Sequence, residues 1–259
     1  MSTRPIKAVL LDWAGTTVDY GSRAPTQVFV EIFRRRGVEI TVAEARGPMG
    51  RAKHEHIAMV AELPRVTELW RQRHGAAPTD VDVRAMYDDF LPLQKDILKQ
   101  GSNVIPGIPE AIAELRERGI RIGSSTGYTR ALMEIVIPIA AAGGYHADVV
   151  VCSDEVSAGR PTPWMNLRAA ELLGVYQFDQ IVVVDDTPVG IEAAKNGGMI
   201  AVAVSLTGNA LGLSEAEALQ MPAAALQQRL LEIETDFRKA GVDYVIRSVA
   251  ELPALLNHM

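Results

Sequence analysis

Short apolar runs and longer amphipathic stretches alternate along most of the chain. Residues 8–11 form an apolar run that ends at Asp12, a pattern typical of a buried strand. After residue 106 the pattern predicts helix–strand units at 109–118 and 120–123, 129–142 and 148–152, 163–173 and 180–184, and 189–196 and 199–204. A helix over 214–239, a strand over 244–246 and a short terminal helix are expected to follow. Because strands alternate with helices, we expect an α/β fold with a Rossmann-like parallel sheet, covered by helices on both faces.

A long stretch after the first strand departs from this alternation and is helical throughout. Residues 25–36 carry apolar side chains at helical spacing, and residues 80–100 predict one long amphipathic helix. The sequence therefore predicts an α/β core catalytic domain of residues 1–21 and 101–259. This core is interrupted after its first strand by a helical cap domain of residues 22–100.

Composition and charge exclude several classes of protein. The chain has 259 residues, of which 48% are hydrophobic and 22% charged, as in an ordinary globular protein. Its net charge of −6 argues against nucleic-acid binding, because phosphate backbones attract basic surfaces. No apolar run approaches the roughly 20 residues that a membrane span requires, and the N-terminal segment lacks the features of a secretory signal. The single cysteine, Cys152, cannot form an internal disulfide and fits a reducing cytoplasm, where we expect the protein to reside.

Carboxylates follow two of the predicted strands. Asp12 ends the first strand, and Asp185 and Asp186 follow the strand over 180–184. Open α/β sheets bind ligands at the carboxyl ends of their strands, and magnesium (Mg2+) is usually held by one or two carboxylates together with water and substrate oxygens. A lone Asp at a strand end more often caps a turn, but paired acids at one edge need a cation to offset their repulsion. We therefore expect Asp12 and Asp186 to hold Mg2+.

Two further segments suit a phosphoryl or phosphonyl group. Residues 124–127 place hydroxyl and backbone N–H groups just before a helix, where an anion is favoured; the alternative is a simple helix cap. Arg160 lies in a Pro/Gly-rich segment that leads into another helix. A guanidinium held there would bind such a group through two parallel hydrogen bonds. The alternative for Arg160 is a surface salt bridge.

These segments, in this order, resemble the haloacid dehalogenase-like phosphotransferase superfamily. The resemblance implies that Asp12 is the phosphoryl-accepting nucleophile, that Thr126 contacts the phosphoryl group and that Asp186 binds magnesium. It also implies a mobile cap inserted after the first strand. The chain departs from the pattern at Ala14, where most phosphatases of this type have a second Asp that acts as general acid and base. A methyl group cannot transfer a proton, so hydrolysis of a simple phosphate ester would lack its acid.

The predicted cap contains a candidate for activating the leaving group instead. On a helix, Met49, Lys53, His56 and Ile57 share one apolar face. Desolvation on such a face lowers the pKa of a lysine and increases the fraction of neutral amine that attacks a carbonyl. The alternatives are a lysine whose ammonium reaches water from a buried stripe and, for His56, a histidine that is merely hydrogen-bonded within the cap.

The whole pattern resembles the phosphonoacetaldehyde hydrolase family within that superfamily. The segments that carry the resemblance are DWAGTTVDYGS at 12–22, PMG at 48–50, GSSTGY at 123–128 and GRPTPWM at 159–165. The resemblance implies hydrolysis of phosphonoacetaldehyde, a small-molecule substrate, to acetaldehyde and phosphate. It also implies a homodimer built through the caps, for which the helix over 80–100 offers a surface.

The same resemblance implies roles for individual residues. Lys53 is expected to form a Schiff base with the substrate, and Arg160 stands where most superfamily members have Lys. The backbone carbonyl of Ala14 is implied as a magnesium ligand beside Asp12 and Asp186. The implied substrate contacts are Met49, His56, Thr126, Gly127 and Arg160.

Some questions stay open on the sequence alone. Certain members of the superfamily carry a second acid four residues after the magnesium-binding Asp, and this chain has Gly190 there, so Asp185 is a candidate to replace it. Two alternative functions also stay open. One is another phosphatase or phosphomutase of the same superfamily, and the other is a non-catalytic module that binds a phosphonate.

Overall fold

The computed structural model describes residues 5–259 of the chain. Its strands are β1 (Ala8–Leu11), β2 (Arg121–Thr126), β3 (Val149–Cys152), β4 (Ile181–Asp185), β5 (Ile200–Val204) and β6 (Tyr244–Ile246). Its α-helices are α1 (Arg23–Arg35), α2 (Val42–Arg46), α3 (Lys53–Ala61), α4 (Pro64–His74), α5 (Asp80–Gly101), α6 (Ile108–Glu117), α7 (Arg130–Ala142), α8 (Trp164–Leu173), α9 (Pro188–Asn196), α10 (Glu215–Gln220), α11 (Ala223–Lys239) and α12 (Leu252–Leu256). Within this described range, none of the helices combines the length and the apolar character needed to cross a membrane.

The sheet brings the carboxyl ends of its central strands together at one edge. The strand order is β3-β2-β1-β4-β5-β6, and every neighbouring pair is parallel. Leu11 at the end of β1 pairs with Ser124 of β2 on one side and with Val184 of β4 on the other. The residues that follow Leu11 and Val184 therefore leave the sheet side by side. The predicted α/β fold with a parallel sheet is confirmed.

Side chains of the central strands alternate between two hydrophobic clusters, one on each face of the sheet. Val9 and Leu11 belong to a cluster that α6, α7 and α12 close, whereas Ala8 and Leu10 belong to a cluster that α8, α9 and α11 close. Successive residues of a strand point to opposite faces, so a strand covered on both sides is apolar at every position. This explains why the strands read as continuous apolar runs in the sequence.

Helices α1 to α5 pack around a third hydrophobic cluster of their own. Phe29 and Phe33 of α1, Trp70 of α4 and Phe90 of α5 are buried in it. The ring centroids of Phe29 and Phe90 lie 4.7 Å apart, and those of Phe33 and Trp70 lie 6.5 Å apart, edge to face. The division of the chain into core and cap at the predicted boundaries stays a prediction, and this separate cluster fits it.

The single helix expected over 214–239 is wrong. The structure has two helices there, because α10 ends at Gln220 and α11 begins at Ala223. Met221 between them has an extended backbone, with φ of −70° and ψ of 137°. Pro222 explains the break, since proline lacks an N–H donor and disfavours the helical conformation in the residue before it.

Strand β2 is longer than its apolar pattern indicates. The prediction ended it at residue 123, but it continues through Thr126. The added residues are polar and buried, and their hydroxyls have partners inside the protein. Ser124 Oγ donates to the carbonyl of Leu11 at 2.7 Å, and Ser125 Oγ donates to Oδ1 of Asn166 at 3.0 Å. Because buried polar groups are tolerated when they are hydrogen-bonded, the strand continues into a hydroxyl-rich segment that hydropathy alone does not identify.

Removal of one buried ring tests the separate packing of the cap cluster. We expect Phe33→Ala to lower the free energy of unfolding by about 3 to 5 kcal/mol, because it leaves a cavity in a closed cluster. Val81→Ala in α5, where the side chain is 77% exposed, serves as the control and should change it by less than about 0.5 kcal/mol. Urea denaturation measures both values, and equal effects of the two substitutions would contradict this packing.

Candidate active site

A small cavity lies where the helices of the predicted cap meet the carboxyl edge of the sheet. Its free volume is about 20 Å³, roughly the room that one water molecule needs. The lining residues are Asp12, Ala14, Ser22, Pro25, Met49, Gly50, Lys53, Thr126, Gly127, Tyr128, Arg160, Asp186 and Thr187. A small organic phosphonate is larger than this space, so the cavity must open for such a molecule to enter.

Three carboxylates meet beside this cavity. Asp12 follows β1, and Asp185 and Asp186 lie at the end of the neighbouring β4; one oxygen from each lies within 4.8 Å of the others. All three are buried. Burial, followed by the charges of Asp12 and Asp185, raises the pKa of Asp186 well above its usual value. The cluster therefore carries more negative charge than its surroundings offset, and its oxygen donors fit a hard divalent cation.

Arg160 is the fixed cation of this cluster. It is only 4% exposed. Its Nη2 lies 2.8 Å from Oδ1 of Asp12, its Nη1 lies 3.1 Å from Oδ2 of Asp185, and Nη2 also donates to the carbonyl of Ser125 at 3.0 Å. These partners hold the guanidinium in one orientation. Burial raises the pKa of Asp12, and the charge of Arg160 opposes that shift. The surface salt bridge considered for Arg160 is excluded.

Lys53 is a buried amine in the wall of the same cavity. It is the first residue of α3 and is only 5% exposed, so its side chain does not reach bulk water. Its Nζ lies 4.9 Å from the ring centroid of Tyr128 and 5.5 Å from that of Phe29. Burial is the main cause that lowers the pKa of Lys53 to about 8, although the charge of Asp12 opposes the shift. The site thus contains a lysine with a substantial neutral fraction near neutral pH.

The expected continuous helix from residue 49 is wrong, because α3 begins at Lys53. Met49 lies in the turn before it and lines the cavity. Gly50 has a φ of +92°, and a Cβ atom there would lie 2.5 Å from Oγ1 of Thr187 and 2.7 Å from Cγ1 of Val189. The left-handed backbone at Gly50 ends any helix at this point. It also lets the turn pack directly on the residues that follow Asp186.

His56 is buried but does not line the cavity. Its Nε2 lies 2.8 Å from the carbonyl oxygen of Ala45, and its ring stacks on Phe29 with centroids 3.6 Å apart. Burial and the neighbouring charge of Lys53 lower the pKa of His56 to about 3, so the ring is neutral. His56 lies on α3 with Lys53 and connects this helix to Ala45 of α2. A direct contact between His56 and a substrate stays a prediction.

A distant loop fixes the orientation of Asp186. The backbone N–H of Asn209 donates to Oδ2 of Asp186 at 2.7 Å, and Oγ1 of Thr207 donates to the carbonyl of Gly15 at 2.8 Å. A Cβ atom at position 15 would overlap the Asp186 carboxylate. Glycine is therefore required there, and the loop after β5 joins the residues after β1 and β4 in one site.

Comparisons with known proteins identify the family. A family model described as "haloacid dehalogenase-like hydrolase" matches residues 6–198. A Bacillus cereus protein named phosphonoacetaldehyde hydrolase is 43% identical over 254 residues, which cover 98% of this chain and 96% of that protein. A protein of the same name from Paraburkholderia xenovorans is 46% identical over 247 residues, which cover 95% and 92%. This chain belongs to the haloacid dehalogenase-like hydrolases.

Solved structures agree with this membership of the haloacid dehalogenase-like hydrolases. The crystal structure of a phosphonoacetaldehyde hydrolase like protein from Oleispira antarctica matches with a TM-score of 0.97 at 38% identity, covering 98% of this chain and 92% of that one. A putative phosphoglycolate phosphatase from Lactobacillus delbrueckii matches with a TM-score of 0.71 at 20% identity, covering 98% and 99%, and shows the fold alone. The resemblance to phosphonoacetaldehyde hydrolases is confirmed, and the chain is a hydrolase.

Most of the site residues expected for such a hydrolase line one cavity. These residues are Asp12, Ala14, Met49, Lys53, Thr126, Gly127, Arg160 and Asp186. Their individual roles stay predictions, because proximity does not assign a role.

The sequence interpretation did not single out several other residues of this site, among them Tyr128, Thr187 and Asn209. Thr187 followed by Pro188 is a signal for the start of a helix directly after Asp186, and Tyr128 ends one of the family-like segments. Asn209 acts through its backbone N–H in a remote loop, which no residue pattern indicates.

The structure also explains the glycine four residues after Asp186. A Cβ atom at position 190 would overlap the carboxyl group of Asp185. Thr187 holds this carboxyl group, because its backbone N–H and its Oγ1 both donate to Oδ1 of Asp185, at 2.9 and 2.7 Å. Asp185 therefore occupies the space beside position 190. This placement supports the proposal that Asp185 replaces the second acid that some superfamily members carry at that position.

A methyl group at position 190 tests this placement. Gly190→Ala is expected to displace the Asp185 carboxylate and weaken magnesium binding by about tenfold or more, as loss of supporting contacts around a metal site does. Gly47→Ala is the control, since a Cβ atom there meets nothing closer than 3.7 Å. Isothermal titration calorimetry with magnesium measures both variants. Unchanged affinity in Gly190→Ala would show that Asp185 has no part in the site.

Proposed function

We propose that this chain hydrolyses phosphonoacetaldehyde to acetaldehyde and phosphate. The observation that carries the proposal is the pairing of a buried lysine, Lys53, with a nucleophilic carboxylate, Asp12, in one cavity. The position two residues after Asp12 is Ala14, so the cavity has a carbonyl-reactive amine where an ester phosphatase needs a proton donor. Relatives that bear the name phosphonoacetaldehyde hydrolase, at 43% and 46% identity, support the same conclusion.

We propose that Mg2+ is held by the carboxylates of Asp12 and Asp186 and by the backbone carbonyl of Ala14. The buried acids of the cluster and their raised pKa values support a cation at this position. When bound, the ion offsets negative charge on the transferring group. Arg160, whose guanidinium contacts Asp12, contributes a second positive charge.

The proposed reaction begins at Lys53. Its neutral amine adds to the aldehyde carbon; uptake of one proton and loss of water then leave a positively charged iminium between Lys53 and the substrate carbons. The iminium is an electron sink at the position beta to phosphorus. Without it, breaking the carbon–phosphorus bond would release an unstabilised carbanion. The lysine therefore stabilises the leaving group of this step.

Asp12 then takes the phosphoryl group. Its carboxylate oxygen attacks phosphorus in line, and the electrons of the carbon–phosphorus bond move into the iminium to give an enamine. Arg160, which already contacts Asp12 and Ser125, stabilises charge on the transferring group. Water cleaves the aspartyl phosphate and releases phosphate, while protonation and hydrolysis of the enamine release acetaldehyde and regenerate Lys53.

Two other functions make different predictions. Another phosphatase or phosphomutase of the superfamily would turn over phosphate esters and form no imine, and the methyl group of Ala14 argues against it. A non-catalytic phosphonate-binding module would bind magnesium and phosphonate without releasing either product. The buried, pKa-lowered Lys53 has no use in either alternative.

We also propose a homodimer formed through the cap and a cytoplasmic location. The long helix α5 offers an extended surface for the dimer. The family resemblance supports the dimer, and the single cysteine supports a reducing compartment.

The proposed chemistry is tested by following both products while trapping the imine. With magnesium and phosphonoacetaldehyde, we expect equal release of acetaldehyde and phosphate, and borohydride should attach the substrate carbons to Lys53, located by mass spectrometry. Lys53→Arg keeps the charge but forms no imine, so turnover should fall by more than about ten thousandfold, as loss of a covalent catalyst does. Lys99→Arg, at an exposed lysine of the cap, is the matched control. Turnover of a phosphate ester without any adduct would refute the proposal.

The lowered pKa of Lys53 predicts the pH dependence of imine formation. Protonated Lys53 cannot attack the aldehyde, so the rate should rise with pH and level off above about 8, the pKa that burial gives this lysine. At pH 7 about one Lys53 in ten is then neutral, against fewer than about one in a thousand for an ordinary lysine. Single-turnover borohydride trapping across the pH range measures this profile. A rate that is still climbing steeply above pH 9 would contradict the lowered pKa.

A further inference from the structure

One side chain of the cap makes several hydrogen bonds to the core at a distance from the cavity. Arg46 lies in the last turn of α2. Its Nη1 donates to Oδ1 of Asn209 at 2.9 Å and to the carbonyl of Asn209 at 3.2 Å, and its Nη2 donates to the carbonyl of Gly212 at 3.2 Å. A Cβ atom at position 212 would lie 2.8 Å from Cζ of Arg46. The loop over 209–212 is therefore packed directly against the guanidinium.

The same guanidinium also contacts the segment that leads from β1 into the cap. Nη1 of Arg46 donates to the carbonyl of Gly21 at 2.9 Å and approaches that of Ser22 at 3.4 Å. Ser22 lines the cavity, and Gly21 is tied to the core by its N–H, which donates to the carbonyl of Thr207 at 2.7 Å. Arg46 thus joins the connecting segment, the cap and the core loop at one point.

Arg46 is connected to Asp186 through Asn209. Asn209, which accepts from Arg46 through its side chain, donates from its backbone to Oδ2 of Asp186. The guanidinium therefore fixes the residue that orients this carboxylate. Its hydrogen-bond acceptors named above are neutral carbonyl and amide oxygens, and its charge also acts through space on the buried carboxylates of Asp19 and Asp186. A charged donor with neutral acceptors suits a contact that forms and breaks repeatedly.

We propose that Arg46 is a positioning residue that latches the closed cap over Lys53 and holds the Asn209 loop against Asp186. The free volume of the cavity, about 20 Å³, is less than a phosphonate occupies, so the proposed latch releases when substrate enters. The catalytic consequence rests on the proposed function. The latch itself does not, because closure and release of Lys53 are measurable without any substrate.

The test uses the accessibility of Lys53 to acetic anhydride, followed by peptide mass spectrometry on the full-length protein. Lys53 is only 5% exposed when the cap is closed, so its acetylation requires opening. Arg46→Ala should accelerate acetylation of Lys53 by about tenfold or more, since it removes several charge-assisted hydrogen bonds. The exposed Lys99 provides an internal reference for reagent strength. Acetylation of Lys53 in Arg46→Ala within twofold of the unchanged protein would overturn the latch.

Matched variants separate a latch from a general contribution to stability. Arg65→Ala is the control, because Arg65 pairs with Glu44 inside the cap, and it should leave Lys53 acetylation unchanged. Arg46→Lys keeps a donor and should restore part of the protection. Asn209→Ala removes one acceptor of Arg46 but keeps the backbone hydrogen bond to Asp186. It should accelerate acetylation of Lys53 less than Arg46→Ala does. Equal acceleration by Arg65→Ala, or no protection by Arg46→Lys, would make Arg46 an ordinary stabilising residue.

A second readout concerns Asp186. Arg46→Ala should weaken magnesium binding, measured by calorimetry without substrate, by about tenfold, because loops that orient a metal ligand contribute to its affinity in this range. In the turnover assay the same variant should raise KM for phosphonoacetaldehyde more than it lowers kcat. If the unchanged protein shows no turnover, the proposed function fails while the acetylation result stands. If turnover is normal and acetylation is unaffected, the latch fails alone.

Discussion

The burial of three like-charged groups at one edge of the sheet is the constraint on which the site depends. Parallel pairing of β1 with β4 leaves Asp12 beside Asp185 and Asp186, and helices cover both faces, so these carboxylates cannot turn to bulk solvent. Desolvation, followed by their mutual repulsion, raises the pKa values of Asp12 and Asp186. Arg160 offsets part of this charge. The remaining imbalance fits the divalent cation that is proposed for this site.

The site has two requirements that conflict with each other. Lys53 must be buried, and a substrate must be able to enter the cavity. Burial is the main cause that lowers the pKa of Lys53, so the shift depends on the cover that the predicted cap provides. The cavity, in turn, leaves room for about one water molecule. The helices of the predicted cap have their own hydrophobic cluster, but Ala24 of α1 and Leu98 of α5 also belong to the cluster that covers one face of the sheet. Gly50 packs on Thr187, and Arg46 reaches neutral oxygens of the Asn209 loop.

The sequence predicted those parts of the molecule that follow from periodicity and chain direction. Asp12 and Asp186 could be placed together because residues at the ends of parallel strands share one edge. Lys53 could be placed on a buried face because its spacing to Ile57 is helical, even though the helix starts later than expected. The Asn209 contact to Asp186 could not be predicted, since it depends on a loop backbone that no pattern encodes. Whether Asp185 takes the place of a second acid at position 190 was left open, because only coordinates show that its carboxyl group fills the space beside Gly190.

The absence of a carboxylate at position 14 affects the charge state of Lys53. Most phosphatases of the family type carry an acid at this position, and Ala14 lines the same cavity as Lys53. A carboxylate at position 14 would add a fourth negative charge to the cluster and would attract the ammonium of Lys53. Attraction by an opposite charge raises a lysine pKa, and the charge of Asp12 already acts in that direction. A further acid would therefore raise the pKa of Lys53 and reduce the fraction of neutral amine available for the proposed imine formation. An alanine at position 14 therefore supplies no proton donor for an ester phosphatase and also leaves the pKa of Lys53 low, as the proposed mechanism requires.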